Sequence, residues 1–182
     1  MKEQNRQGIQ TEEKVLKENE SEEKPVVWKE TLSWIVVVVA AMLLAYVMNR
    51  FVIVNARVPS GSMETTIMTG DRILGWRLTY NFREPKRGDI VIFKYPDNEN
   101  ENYIKRIIGL PGEKVTIKEG KVYIGDSTEP LEEDYVKEEW SGGDGVYWVP
   151  EDSYFMLGDN RNNSKDSREW VNKYVHRDKI CL

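Results

Sequence analysis

Lys114-Val115-Thr116-Ile117-Lys118-Glu119-Gly120-Lys121-Val122-Tyr123-Ile124 sets the fold class of this chain. Val115, Ile117, Val122 and Ile124 alternate with polar residues on either side of Glu119-Gly120. Period-two alternation broken by a Gly turn reads as a β-hairpin with one buried face. Pro111-Gly112 marks a turn just before it. Working outward, the same short β-branched runs between turn signals recur at Phe51–Val54, Arg72–Trp76, Asp89–Tyr95, Tyr103–Leu110 and Tyr154–Leu157. Residues 125–147 are acidic and Gly-rich and read as loop. The expectation is a mainly β, mostly antiparallel domain over residues 51–182, with a small hairpin cap near 113–150.

The N-terminal part is different. Of residues 1–31, fourteen are charged, six basic and eight acidic, and the apolar ones are scattered. That composition reads as a disordered tail. From Leu32 to Met48 there is no charge, Pro or Gly. Seventeen helical residues span about 25 Å, slightly short of a hydrocarbon core of about 30 Å. Lys29 and Arg50 can snorkel, and Trp28, Trp34 and Tyr46 suit the interfaces. A cleavable leader is the competing account, since Val54-Asn55-Ala56 has small residues suited to cutting. The long acidic tail is unlike a short basic leader start and favours a retained anchor over residues 32–50. Lys14, Lys17, Lys24 and Lys29 precede the span, and only Arg50 and Arg57 follow it closely. This bias places the tail in the cytoplasm and the β domain outside, as a single-pass protein of the cell membrane.

Composition excludes several chemistries. The chain has 182 residues, 31 acidic and 26 basic, with a net charge of −5. Nucleic-acid binding has no basic excess to draw on. The one cysteine, Cys181, rules out an intrachain disulfide and a cysteine zinc site. A histidine-based triad has only His176 to use. No metal or cofactor is expected.

Three segments carry candidate chemistry. Pro59-Ser60-Gly61-Ser62-Met63 is either an ordinary surface turn or a tight turn that presents a hydroxyl. In Asn102-Tyr103-Ile104-Lys105-Arg106-Ile107, strand geometry puts Lys105 on the face of Tyr103 and Ile107. A lysine there either snorkels at an edge or is a desolvated amine able to accept a serine proton. Gly158-Asp159-Asn160-Arg161-Asn162-Asn163-Ser164-Lys165-Asp166-Ser167-Arg168 is either a solvated loop or one packed beneath a site.

In this order behind one apolar span, the segments resemble the bacterial type I signal peptidases, of the branch with one span and a short cap. Gly70-Asp71-Arg72-Ile73-Leu74, Lys86-Arg87-Gly88-Asp89-Ile90-Val91 and Gly109-Leu110-Pro111-Gly112 extend the likeness over nearly everything after the tail. The resemblance implies a membrane-bound serine endopeptidase that removes signal peptides from exported preproteins, cutting after small residues at −3 and −1. It implies Ser62 as nucleophile and Lys105 as general base. It implies an oxyanion hole from the Ser62 N–H and the Ser60 hydroxyl, and a Ser164 hydroxyl that orients Lys105. It further implies an Asp166–Arg168 salt bridge as a brace, and shallow pockets lined by Val58, Ile67, Ile73, Ile92, Tyr103 and Ile104. Its partners would be preprotein signal peptides and the lipid bilayer, with the secretion machinery nearby. The chain departs from the family at Thr65, where a proline is usual. Two other readings remain open at this point: a self-cleaving repressor-type Ser-Lys protease, and a tethered β-domain used for binding.

Overall fold

A computed structural model describes residues 28–181. The chain divides into two units, residues 1–50 and 51–182. The expected disordered tail falls almost wholly outside the described residues. In the first unit, helix α1 runs over Trp28–Val47. Its twenty residues give a rise of about 30 Å, the full thickness of a hydrocarbon core. The span is longer than the sequence reading had it, because Trp28–Thr31 already form its first turn. All its apolar side chains are exposed, as a helix without a protein core to enter requires.

Among its described residues the second unit has nine antiparallel strands: β1 Ile53–Arg57, β2 Arg72–Trp76, β3 Ile90–Tyr95, β4 Asn98–Gly109, β5 Lys114–Lys118, β6 Lys121–Ile124, β7 Gly145–Trp148, β8 Ser153–Leu157 and β9 Val175–His176. They form three sheets in the orders β1-β2, β3-β4-β8-β9 and β6-β5-β7. A short helix, α2, covers Thr79–Phe82. The hairpin read around Glu119-Gly120 is β5–β6, and both turn residues have positive φ, 51° and 80°. That pair of left-handed residues matches the twist of the flanking strands.

Three expectations need correction. The first strand is Ile53–Arg57 rather than Phe51–Val54, since Arg57 still pairs with Arg72. Strand β4 begins at Asn98, because polar residues 98–102 continue the ladder with β3 past a bulge. The cap is not a lone hairpin. Gly145–Trp148, read as loop apart from its last residue, is strand β7 and pairs with the free edge of β5.

Strand β8 explains how the layers assemble. All five of its residues are buried. Tyr154 and Met156 enter a core with Val91, Phe93, Ile107 and Trp170, while Phe155 and Leu157 enter a second with Val115, Ile117, Val122 and Val149. Alternating side chains therefore glue two cores through one strand. Lys105 pairs with Val91 and so points to the first core; Arg106 pairs with Leu157 and points to the second.

Candidate active site

The site forms where the turn after β1 meets the middle of β4 and the loop after β8. Ser60 precedes a single 3-10 turn, Gly61–Met63, that carries Ser62. Met63, fully buried, anchors this turn. The loop after β8 clamps it from the other side. Asn160 donates its backbone N–H to the Ser62 carbonyl at 3.1 Å and its side-chain amide to the Gly61 carbonyl at 3.0 Å. Gly158 makes the approach possible: a Cβ there would lie 2.5 Å from the Ser62 carbonyl oxygen and 2.1 Å from Ser164 Oγ.

Lys105 Nζ lies 2.5 Å from Ser62 Oγ. Lys105 is 3% exposed and Ser62 6%. Burial disfavours the ammonium and brings the Lys105 pKa down to about 8, against the upward pull of Asp166 and Asp159. Both carboxylates are already committed. Asp166 binds Arg168 at 2.7 Å through each oxygen, and Asp159 binds Arg106 at 2.8 and 2.6 Å. Neither forms an ion pair with Lys105, so desolvation prevails. At pH 7 an amine of pKa about 8 is neutral in roughly one molecule in ten, some 300-fold more often than an unshifted lysine. A neutral Lys105 can accept the Ser62 proton across that contact.

The remaining site expectations fare differently. Asp166 and Arg168 form the salt bridge read from the sequence; Asp166 also accepts from the Gly158 N–H at 3.0 Å, and Arg168 donates to the Arg161 carbonyl at 2.8 Å. The hydrogen bond expected between Ser164 and Lys105 is absent. Ser164 Oγ is buried with no partner, packed on Gly158, while Lys105 Nζ is turned to Ser62. Ser60 Oγ lies 3.4 Å from Ser62 Oγ, at the rim of the site. A cleft of about 460 Å³ opens along this edge, lined by Ser60, Ser62, Tyr103, Ile104 and Lys105 among others. Of the six expected pocket residues only Tyr103 and Ile104 line it. Ile92 pairs with Ile104 across the β3–β4 ladder, Val58 is buried, and Ile67 and Ile73 are half-buried. His176 is exposed, and its Nδ1 lies 2.7 Å from Asp178 Oδ1.

Sequence reasoning left a supporting layer unassigned. Thr66 Oγ1 donates to Asp159 at 2.6 Å, and Arg106 lies 3.8 Å over the Tyr135 ring. Arg161 makes a buried bidentate pair with Glu133 at 2.9 and 2.5 Å, and Trp140 lies under Arg168 at 4.1 Å. The Gly158-Asp159-Asn160-Arg161 motif signalled one half of this layer. Glu133, Tyr135 and Trp140 sit in a stretch with no periodicity and gave no signal.

A serine in contact with a desolvated lysine, on an antiparallel β scaffold, suits acyl-transfer chemistry of the serine–lysine type. Comparison with known proteins narrows the class. The family model for signal peptidase, peptidase S26, matches residues 31–181. A probable signal peptidase I-2 from Synechocystis sp. is 40% identical over 147 residues, covering 78% of this chain and 66% of the relative. Signal peptidase I from Leptolyngbya laminosa is also 40% identical over 147 residues, covering 77% and 70% respectively. A solved signal peptidase I from Enterococcus faecalis is 35% identical with a TM-score of 0.45, covering 54% of this chain and 94% of that one. The chain belongs to the signal peptidase S26 family. It spans about two thirds of the length of the Synechocystis relative.

Proposed function

We propose that this chain is a membrane-associated serine endopeptidase that removes N-terminal signal peptides from preproteins, with Ser62 as nucleophile and Lys105 as general base. The 2.5 Å contact between a buried lysine of lowered pKa and a buried serine carries the reading. Family membership supplies the substrate class. Neutral Lys105 takes the Ser62 proton as Oγ bonds to the carbonyl carbon of the residue before the cut. The Ser62 N–H and Ser60 hydroxyl stabilise the resulting oxyanion. Lys105 then passes its proton to the leaving amine, which departs as the new N-terminus. Water, deprotonated by Lys105, opens the ester and releases the signal peptide as a carboxylic acid. Asp166 and Arg168 brace the loop and take no part in proton transfer. Tyr103, Ile104 and the neighbouring Ile92 limit side-chain bulk at the selecting positions, with Val58, Ile67 and Ile73 as further lining.

In this reading α1 is the anchor, the N-terminal tail is cytoplasmic, and residues 51–182 act outside the cell membrane. The apolar span and its lysine-rich entry support that orientation. A tag at the N-terminus that reacts from outside intact, wall-free cells would reverse it. The catalytic reading is tested with a synthetic preprotein bearing small residues at −1 and −3. Cleavage at that bond, lost in Ser62→Ala and Lys105→Ala, is the expected result. Cleavage that persists in Ser62→Ala overturns it.

A further inference from the structure

Two charged side chains in the cleft have no role in the chemistry above. Glu101 and Lys165 line the same cleft as Ser62 and Lys105, and both are exposed. Glu101 accepts a hydrogen bond from the Asn98 amide at 2.8 Å, and Lys165 Nζ stands 5.9 Å from the Tyr95 ring. Among the described residues neither carries an ion pair. Their acidic neighbours are occupied: Glu99 pairs with Lys179, and Asp97 accepts the N–H groups of Val171 and Asn172.

Their position along the cleft follows from the strand. Glu101 precedes Lys105 by four residues of β4, or about 13 Å. Lys165 follows Ser164 in the loop after β8, yet approaches Tyr95, whose ring stacks on Tyr103 at 4.3 Å. Both charges therefore lie towards the end of the cleft away from Ser62. Strand β8 pairs with β4 only at Arg106–Gly109, which leaves the edge from Asn98 to Lys105 free of it. A peptide extended along that edge, with its scissile carbonyl at Ser62, brings residues about three to five positions from the cut to this end.

We infer that Glu101 and Lys165 form a charge-reading rim. It selects substrate side chains about three to five positions from the scissile bond by their sign. Lys165 favours an acidic residue and Glu101 a basic one. Successive side chains of an extended peptide point to opposite sides, so the two charges read different positions. The inference rests on the proteolytic reading and adds a specificity determinant beyond the small residues at −1 and −3.

The test uses the full chain in detergent and peptides with small residues at −1 and −3. Asp or Lys replaces a neutral residue at each position three to five away from the cut, on either side. The readout is the ratio of kcat/KM for the Asp peptide to that for the Lys peptide within each enzyme form, so a general loss of activity cancels. The unaltered enzyme should favour Asp about 2- to 5-fold at one position, as expected of an exposed ion pair. Lys165→Glu should invert that ratio, and Lys165→Met should bring it to one. Glu101→Lys should raise the Asp preference at a different position, and added salt should compress every ratio. A ratio of one at all positions in the unaltered enzyme, or ratios that survive both charge reversals, overturns the rim. If the unaltered enzyme refuses even the neutral parent peptide, the proteolytic reading falls and takes this inference with it.

Discussion

Asn160 holds the carbonyl of Ser62 by its backbone and the carbonyl of Gly61 by its side chain, at 3.1 and 3.0 Å. The turn that presents Ser62 is thus fixed by a loop nearly a hundred residues later in the chain. Such clamping sets the direction of Ser62 Oγ towards Lys105, and a small misplacement of a reacting atom is costly. Asn160→Ala removes one of the two bonds, worth about 1 kcal/mol. Acylation in single-turnover experiments should slow about 5-fold with little change in KM. A variant with unchanged acylation and a raised KM would show that Asn160 acts on substrate binding instead.

The rate should follow the titration of Lys105. Burial lowers its pKa to about 8, so kcat/KM for a neutral peptide should rise tenfold per pH unit below that value and level off above it. Lys105→Arg should be inactive, because guanidinium holds its proton throughout. An acidic limb that disappears in His176→Ala would assign the titration to the wrong group.

The same shift predicts a stability effect. The folded pKa of about 8 lies below the unfolded value near 10.5, so the unfolded chain binds more protons between those limits. Lys105 therefore destabilises the fold fully below pH 8, and the penalty fades as pH rises to 10.5. Lys105→Met keeps the volume and removes the charge. It should be more stable than the parent at pH 7 by up to about 3 kcal/mol, with the gap closing by pH 10.5. Chemical denaturation across that range measures it; a gap that does not depend on pH would assign the gain to packing.

Among the buried arginine–carboxylate pairs that support the site loop are Arg168 with Asp166 and Arg161 with Glu133. Removing one partner leaves a buried charge alone, which costs about 3–5 kcal/mol. Asp166→Ala and Glu133→Ala should each lower Tm and activity together. Glu133→Ala combined with Arg161→Met should recover much of the lost stability, because no orphaned charge remains. Full stability in the single variants, with activity abolished, would place these residues in the chemistry rather than beneath it.

The sequence by itself determined the local order. The apolar run that became α1, the β5–β6 hairpin and most strand cores follow from periodicity and turn residues, which act over a few neighbours. It also determined the face of Lys105, since strand alternation ties that lysine to Tyr103 and Ile107. Ser62 and Lys105 as a pair came from resemblance, because nothing local links two residues 43 positions apart. Tertiary structure decided what depends on non-local pairing. Strand β7 exists because β5 has a free edge, and β4 extends through polar residues because β3 carries it. Ser164 packs on Gly158 and its hydroxyl has no hydrogen-bond partner, a placement set by the loop after β8 rather than by local sequence. Glu133, Tyr135 and Trp140 gained their places under Arg161, Arg106 and Arg168 only when the cap stretch folded back on the site loop. No pattern within that stretch foretells those contacts, since Leu131, Tyr135 and Trp140 pack on the second core at irregular spacing and Glu133 is held by an ion pair.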